Sequence, residues 1–321
     1  MKCSVEHAPG STHLASDLAP VVVFAYARLD HIQRTIESLR LNAEAACTEL
    51  HVYCDAAKSP SVQARVDAVR DYVASIDGFR SVQRIYRDCN LGLARSIIDG
   101  VSSLLDRHDR VIVVEDDLLL SPHFLRYMNE ALALYADDPT VASIHGYSYP
   151  AGPTLPETYF LRGADCWGWA TWRRAWPLFR ADGAALLAEL RERGLSRRFD
   201  LDGSFAFTHM LEQQVAGRND SWAIRWHASC FLAGHLTLYP GRSLVHNIGN
   251  DDSGTHASRT SMFGSTVAAE PVPVRRQPLI ESEAARAAIV SYLQACRPGP
   301  ARRFAAWLRR RIGAAARRPV Q

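Results

Sequence analysis

Short, continuous runs of apolar residues recur along the first half of the chain, and segments with helical periodicity separate them. Runs of four to eight such residues, bounded by polar turns, are typical of strands buried on both faces of a parallel sheet. The predicted strands are Pro20–Tyr26, Leu50–Asp55, Val82–Tyr86, Val111–Val114 and Val141–His145, with a later one at Leu236–Tyr239.

The segments between these runs carry apolar residues three and four positions apart, which predicts helices with one buried face. The helices are expected to begin with Asp30 as a cap, at Ser59–Pro60, at Leu93 after a turn, and at Ser121–Pro122. Strands and helices that alternate at this spacing predict an α/β fold, with a mostly parallel sheet flanked by helices.

Three acidic residues, Glu115, Asp116 and Asp117, directly follow the Val111–Val114 run. Adjacent carboxylates near a core repel one another and lose solvation, so we expect something to neutralise them. A divalent cation such as Mg²⁺ or Mn²⁺ is the simplest candidate, because hard cations prefer carboxylate oxygens and phosphates. Ligands of open α/β sheets also bind at the carboxyl ends of strands. The alternative is a solvated strand end whose acids cap the next turn.

Two other strand ends carry charged side chains. Arg28 lies in the turn after the first strand, where an anion could bind, although an ordinary surface arginine would fit the same position. Asp55 ends the second strand. Both side chains are therefore candidates for the same edge of the sheet as Glu115–Asp117.

The second half of the chain has a different composition. Four of the seven tryptophans fall within Cys166–Trp176, at a spacing that is neither helical nor alternating. Such rings can fill a core, and we expect at least two to do so. They can also form a wall on which a sugar stacks, for which Trp167 and Trp169 are the candidates.

Further acids and a polar loop occupy the second half. The acids are Asp200, Asp202, Glu212 and Asp220, and Asp220 lies two residues before Trp222. Asp220 alternatively caps a helix that begins near Ser221. The polar, glycine-rich stretch from Asn247 to His256 has the character of a lid over a bound ligand.

Composition and charge indicate which classes of protein the chain does and does not resemble. The chain has 321 residues, and 47% of them are hydrophobic, which suffices for one large α/β domain. The net charge is +3, but residues 301–321 hold seven arginines and no acid, so the rest is mildly acidic and does not resemble a nucleic-acid binder. The seven cysteines are dispersed without any Cys-x-x-Cys pair, which favours a reducing, cytoplasmic environment.

The arginine-rich C-terminal end has an amphipathic pattern. Phe304, Trp307, Leu308 and Ile312 share one helical face, and the seven arginines surround them. A basic helix with an aromatic and aliphatic face fits an anchor on an anionic membrane surface. A solvated, disordered end is the alternative.

The order of elements, together with Val113–Leu118, Pro122 and Phe124, resembles the GT-A glycosyltransferase fold. The chain is similar to nucleotide-sugar transferases of the N-acetylglucosaminyltransferase I type and to bacterial family 2-like sugar transferases, over roughly residues 20–260. The resemblance implies that Asp117 binds Mn²⁺ or Mg²⁺ and that Asp116 approaches the donor ribose. It also implies that Arg28 contacts the donor and that Asp55 hydrogen-bonds its nucleobase.

The same resemblance implies further site residues. Asn90, Gly92 and Arg95 match a donor-contacting region, and Glu115 belongs to the acidic motif. In the second half it implies that Asp220 is the catalytic base, with Asp202 as second choice, and that Trp222 stacks on a sugar. His256 would contact the diphosphate or the metal.

The implied protein is a metal-dependent, inverting glycosyltransferase that moves a sugar, from a UDP-sugar by preference, to a glycan or lipid-linked acceptor in bacterial cell-surface polysaccharide synthesis. We expect a disordered leader (1–18), a nucleotide-sugar half (19–150), an acceptor half (151–296) and a basic tail (297–321) that places the protein on the inner face of the cell membrane. Two alternatives stay open, a non-catalytic carbohydrate-binding or scaffold protein on the same fold, and a sugar nucleotidyltransferase. The second lacks support because the turn after the first strand, Ala25–Asp30, has no glycine.

Overall fold

The computed structural model describes residues 18–153, 155–249 and 262–296. The basic tail, the leader before residue 18 and the loop position His256 lie outside these ranges. The strands of the described part are β1 (Val21–Ala25), β2 (Glu49–Cys54), β3 (Ser81–Tyr86), β4 (Arg110–Glu115), β5 (Leu118–Leu120), β6 (Val141–His145), β7 (Thr158–Arg162), β8 (Trp169–Trp172), β9 (Leu236–Pro240) and β10 (Val245–Asn247).

The α-helices of the described part alternate with the strands in the first half and cluster in the second. They are α1 (Leu29–Arg40), α2 (Gln63–Ser75), α3 (Leu93–Leu105), α4 (Phe124–Leu134), α5 (Gly183–Glu192), α6 (Ser196–Phe199), α7 (Phe207–Val215), α8 (Trp222–Leu232) and α9 (Glu283–Ala295). Short 3₁₀ turns occur at Ala45–Cys47, Pro60–Val62 and Trp176–Leu178.

Eight strands form one mixed sheet in the order β3-β2-β1-β4-β8-β6-β9-β7. The pairs β3–β2, β2–β1, β1–β4 and β6–β9 are parallel, whereas β8 runs against both β4 and β6, and β7 runs against β9. Six strands therefore point the same way. The predicted α/β class, a mostly parallel sheet flanked by helices, is confirmed.

The central strands are apolar because helices cover both of their faces. Every residue of β1 is buried, and Val111–Val114 of β4 have no exposed surface. The carboxyl ends of β1, β2 and β4 consequently lie side by side at one edge of the sheet, and the polar residues that follow these strands meet there.

Two predicted helix details differ from the structure. Helix α1 begins earlier than expected: its N-cap position is Arg28, and Asp30 lies within the first turn, where a carboxylate interacts favourably with the helix dipole. In α3, Ile97, Val101 and Leu104 form the buried face that the apolar spacing predicts, but Leu93, where the helix begins, is 43% exposed because the first turn borders a cavity rather than the sheet.

The second half adds a small core of its own. Leu186, Leu190, Phe199, Leu211 and Phe231, from helices α5 to α8, pack together apart from the main core. Helix α8 joins the two cores, because Trp222 and Trp226 on it pack against the main sheet. This arrangement fixes the start of α8, and with it Asp220, relative to the carboxyl edge of the sheet.

Candidate functional site

A cavity of about 490 Å³ opens at the carboxyl ends of β1, β2 and β4. This volume is within the usual range for a site that binds a small organic molecule. Its polar lining comes from five separate parts of the chain and includes Tyr26, Arg28, Asp55, Lys58, Arg65, Asn90, Glu115, Asp116 and Asp220. The structure thus brings together five of the predicted donor residues and the first-choice catalytic base.

Arg28 occupies the centre of the acidic cluster. Its Nη2 donates a hydrogen bond to Asp116 and another to Asp117 Oδ2 at 2.9 Å. Burial opposes the positive charge of Arg28, but the two carboxylates outweigh it and raise the pKa of the guanidinium above its usual value. The interpretation of Arg28 as an ordinary surface arginine is therefore wrong, since its side chain is only 21% exposed.

A single guanidinium leaves the cluster electrically unbalanced. Burial raises the pKa of Glu115, and the charges of Asp117 and Asp116 raise it further. Burial also raises the pKa of Asp116, with Arg28 opposing the shift. The raised pKa of Glu115, about 8, keeps that group largely protonated at neutral pH, so the carboxylates of Asp116 and Asp117 beside Arg28 leave a net charge near −1. A divalent cation would favour ionisation of all three carboxylates, and it prefers their oxygen atoms as ligands. The solvated strand end considered as an alternative does not fit this burial.

Asp117 packs against the β5–β10 pair rather than at the cavity. Its backbone carbonyl accepts a hydrogen bond from Ile248 N at 2.8 Å, because β5 and β10 pair beside it with Leu118 opposite Asn247. A Cβ added at Gly249 would collide with the Asp117 carboxylate, so the chain approaches as closely as only glycine permits. Asp117 does not line the cavity, whereas Glu115 and Asp116 do.

The cluster nevertheless fits a cation in its composition. Among the described residues, the three carboxylates do not converge as a ready three-ligand set. A cation held by Asp117 would replace the contact of that carboxylate with Arg28 and would take its remaining ligands from a bound phosphate. The oxygen ligands of the cluster suit the predicted ion, whereas the side-chain positions, with Arg28 bonded to Asp116 and Asp117, do not form a ready site.

Asp55 organises the wall of the cavity formed by β2 and α3. Its carboxylate accepts hydrogen bonds from the backbone N–H groups of Ala56, Leu91 and Gly92, each at 2.9 Å. Asn90 Nδ2 donates to the Ala56 carbonyl at 2.7 Å, and the positive φ of Gly92 (74°) suits glycine. These bonds hold two loops together at the rim, and contact of Asp55 with a nucleobase stays a prediction.

Arg95 is separated from this site. It is exposed on α3 and does not line the cavity, whereas its helix neighbours Ala94 and Ser96 do. The structure therefore does not place Arg95 with the other predicted donor residues.

The two candidate bases lie in different surroundings. Asp220 lines the cavity, its side chain is 73% exposed, and its Oδ1 accepts a hydrogen bond from Arg225 Nη2 at 3.1 Å. The cap of α8 is Ser221, whose Oγ accepts from Ile224 N, so the alternative that Asp220 caps this helix is wrong.

Asp202 is tied to another part of the chain. Both of its oxygens accept hydrogen bonds from Arg286 of α9, at 2.7 and 2.8 Å, and these bonds lower the pKa of the carboxyl group. Asp202 does not line the cavity. Its position therefore favours a structural ion pair over the role of base.

The tryptophans divide between core and surface. Trp169 has no exposed surface, and its ring lies 5.3 Å from that of Trp222, which is 2% exposed. Neither can stack on a sugar, so their predicted acceptor role is wrong; β8 turns Trp169 into the interior against α8. Trp167 is partly buried between Tyr147 and Phe263 and keeps its candidate role.

The core position of Trp169 predicts a large loss of stability on truncation. We expect Trp169→Ala to lower the free energy of unfolding by about 3–5 kcal/mol, because it removes a ring that packs on Trp176, Trp222 and Trp226. Urea unfolding followed by circular dichroism measures this, with the partly exposed Trp167→Ala as the matched control. A loss no larger than that of the control would contradict the core assignment.

Basic residues at the rim were missed in the sequence. Lys58 and Arg65 are exposed and line the cavity opposite the acids, and Lys58 N donates to Tyr26 Oη at 3.0 Å. The sequence feature that could have indicated Lys58 is its location in the turn after a strand that ends in Asp55. Together with Arg28, they are the basic side chains of a lining that also holds four acids, and they are the groups that could contact a phosphate.

Comparison with known proteins gives a distant likeness. No protein-family model matches the chain, and no curated protein matches it. The crystal structure of S. aureus TarS is similar with 12% identity and a TM-score of 0.33, covering 60% of this chain and 33% of TarS. The mannosyltransferase PcManGT from Pyrobaculum calidifontis, in complex with GDP-Man and Mn²⁺, has 12% identity and a TM-score of 0.39, covering 68% of this chain and 70% of its own. At these values the likeness by itself assigns no function.

Proposed function

We propose that the protein is a nucleotide-sugar-dependent glycosyltransferase. The observation that carries the proposal is the cavity at the carboxyl edge of the sheet, which is lined by basic residues, by Glu115 and Asp116 of the acidic cluster, and by the separate carboxylate of Asp220. A nucleoside diphosphate sugar presents matching chemistry, namely a diphosphate, a ribose with hydroxyl groups, and a sugar to be transferred.

Different residues of the cavity are suited to contact different parts of the donor. Arg28, Lys58 and Arg65 supply positive charge for the diphosphate, and Asp116 supplies a hydrogen-bond acceptor for a ribose hydroxyl. The loop held by Asp55 and Asn90 would border the nucleobase. A divalent cation at Asp117, when bound, would stabilise the negative charge that develops on the leaving diphosphate.

The acceptor hydroxyl needs a base whose carboxylate is not paired with Arg28 or with a bound cation. Asp220 is suited to it, since its carboxylate is exposed to the cavity and has one arginine partner. Removal of the acceptor proton as the new bond forms would make the hydroxyl a stronger nucleophile.

The finer assignments are part of this proposal and rest on the sequence resemblance. They are an inverting reaction, a UDP-sugar donor, and a glycan or lipid-linked acceptor in bacterial cell-surface synthesis. In the described part of the chain we find no helix that has both the length and the apolar character to cross a membrane. The proposed attachment to the inner membrane face depends on the tail beyond residue 296.

One observation favours the non-catalytic alternative. Arg28 already pairs with Asp116 and Asp117, so the acids have a partner without any cation. A carbohydrate-binding protein on this fold would keep such a pair permanently. Hydrolysis of the donor, which needs the leaving group to be activated, distinguishes the two functions.

The test is hydrolysis of a panel of nucleoside diphosphate sugars by the full-length protein, first with Mn²⁺ and then with excess chelator. We expect one donor to be hydrolysed with Mn²⁺ and none with chelator. The same panel is titrated by calorimetry. A donor that binds but is not hydrolysed, whether oligosaccharide acceptors are present or absent, would favour the binding protein. Absence of binding by every donor would contradict both functions.

A further inference from the structure

A second cluster of ligand-type side chains lies at the opposite, amino-terminal edge of the sheet. Glu49 begins β2, His51 lies two residues further on, and His108 lies in the turn between α3 and β4. One potential ligand atom from each of the three lies within 4.8 Å of the others. The acidic cluster Glu115–Asp117 follows the far end of β4, so the two groups are separated by the length of that strand.

The His51 imidazole is the observation that points to a ligand. His51 is 4% exposed, yet its Nε2 has no hydrogen-bond partner among the described residues. A buried nitrogen without a partner costs free energy, so such groups in proteins are normally satisfied. A neutral imidazole nitrogen is a common metal ligand, so a bound ion would give this nitrogen a partner.

The other two side chains complete the set. His108 Nε2 and Glu49 Oε2 are 4.0 Å apart, which is too long for a hydrogen bond. Two ligands of one tetrahedral zinc ion are separated by roughly 3.4 Å, so small side-chain rotations suffice. Glu49 Oε1 accepts a hydrogen bond from Arg80, which orients the carboxylate and leaves Oε2 for the ion. Both side chains are nearly 30% exposed, so an ion can enter from solvent.

We propose that Glu49, His51 and His108 bind a zinc ion, with solvent in the fourth position, and that this ion ties the start of β2 to the turn before β4. Strand β1 lies between these two strands in the sheet, so the ion spans three strands at their amino-terminal ends. Two imidazoles and one carboxylate select a borderline metal such as Zn²⁺ over Mg²⁺ or Ca²⁺, which take oxygen ligands. The site is independent of the proposed transferase activity.

The nearby charges bear on its affinity. Arg80 pairs with Glu49, and Arg107 directly precedes His108 in the chain. These cations oppose a divalent ion, so we expect weaker binding than in a zinc site with four protein ligands. The ion is therefore expected to stabilise the fold without being required for it.

The test uses full-length protein treated with chelator, then titrated with Zn²⁺ by calorimetry and followed by thermal unfolding. The variants are His108→Ala and Glu49→Gln, which alter partly exposed side chains. The control is His209→Ala, which removes an exposed histidine beside Glu212 elsewhere on the surface. Mg²⁺ replaces Zn²⁺ in a parallel titration.

We expect one Zn²⁺ to bind to wild type and to the control and to raise their Tm. We expect His108→Ala to lose this ion and Glu49→Gln to bind it at least about tenfold more weakly, comparable to the loss when a supporting residue is removed from a metal site. Co²⁺ should give the visible spectrum of a tetrahedral complex in wild type and not in His108→Ala. Equal Zn²⁺ binding by wild type and His108→Ala, or no binding by wild type, would overturn the proposal.

Discussion

The Asp117→Asn variant is expected to fold and to lose the Mn²⁺-dependent part of nucleoside diphosphate binding. The substitution keeps the size of the side chain, and Arg28 retains its pairing with Asp116. It also removes one of three mutually repelling carboxylates, so we expect no loss of stability from charge. The variant lacks the anionic oxygen that a hard cation requires.

Calorimetry of the nucleoside diphosphate with and without Mn²⁺ measures this effect. In wild type we expect Mn²⁺ to increase the affinity for the nucleoside diphosphate. In Asp117→Asn we expect this increase to be smaller by roughly 10–100-fold, the loss typical of damaged metal sites. Asp109→Asn is the control, because Asp109 is 87% exposed beside the other end of β4. Equal enhancement in wild type and Asp117→Asn would contradict the assignment. If Asp116→Asn alone abolished the enhancement, the ligand would be Asp116, which lines the cavity.

Most strands of the parallel part were predictable because they are buried on both faces; only the edge strand β3 is partly exposed along its length. β1, β2, β3, β4, β6 and β9 all correspond to predicted apolar runs. β7 and β8 were not predicted. β8 has only four residues, is buried throughout, and lies among tryptophans whose spacing suits no regular element. Its place between β4 and β6 depends on contacts with both strands, which no local pattern contains.

The donor side of the site was predictable for the same reason. Arg28, Asp55 and Asp116 follow parallel strands, and the topology of the sheet brings the ends of those strands together. The direction of each side chain was not predictable. Asp116 faces the cavity while its neighbour Asp117 turns toward Gly249, because the residue after the strand leads into β5.

The acceptor side depends on contacts between distant residues. Asp202 is held by Arg286, 84 residues further along the chain. The burial of Trp222 likewise depends on the packing of α8 against β8. Neither contact can be recognised from the spacing of residues in the sequence. Local motifs therefore predicted functional roles for Asp202 and Trp222, whose contacts are structural.

Replacement of the proposed catalytic base, Asp220, is the second substitution expected to have a large effect. We expect Asp220→Asn to lower the turnover of sugar transfer by roughly 10²–10⁴-fold and to leave donor affinity nearly unchanged. The carboxylate faces the cavity but lies apart from the Arg28 cluster, so its loss removes a proton acceptor without altering the charge around the diphosphate. Stability should change by no more than about 1 kcal/mol, since the pair with Arg225 is largely exposed on the Asp220 side.

Asp202→Asn is the matched comparison, since it removes an acid from the same half of the protein without touching the cavity. This substitution weakens a two-point contact with Arg286, whose side chain is 7% exposed, so we expect it to lower Tm more than Asp220→Asn does while turnover stays near wild type. Steady-state transfer, nucleotide affinity and Tm are measured for both variants. A fully active Asp220→Asn would reject Asp220 as the base. A loss of turnover in Asp202→Asn at temperatures well below its Tm would assign that role to Asp202.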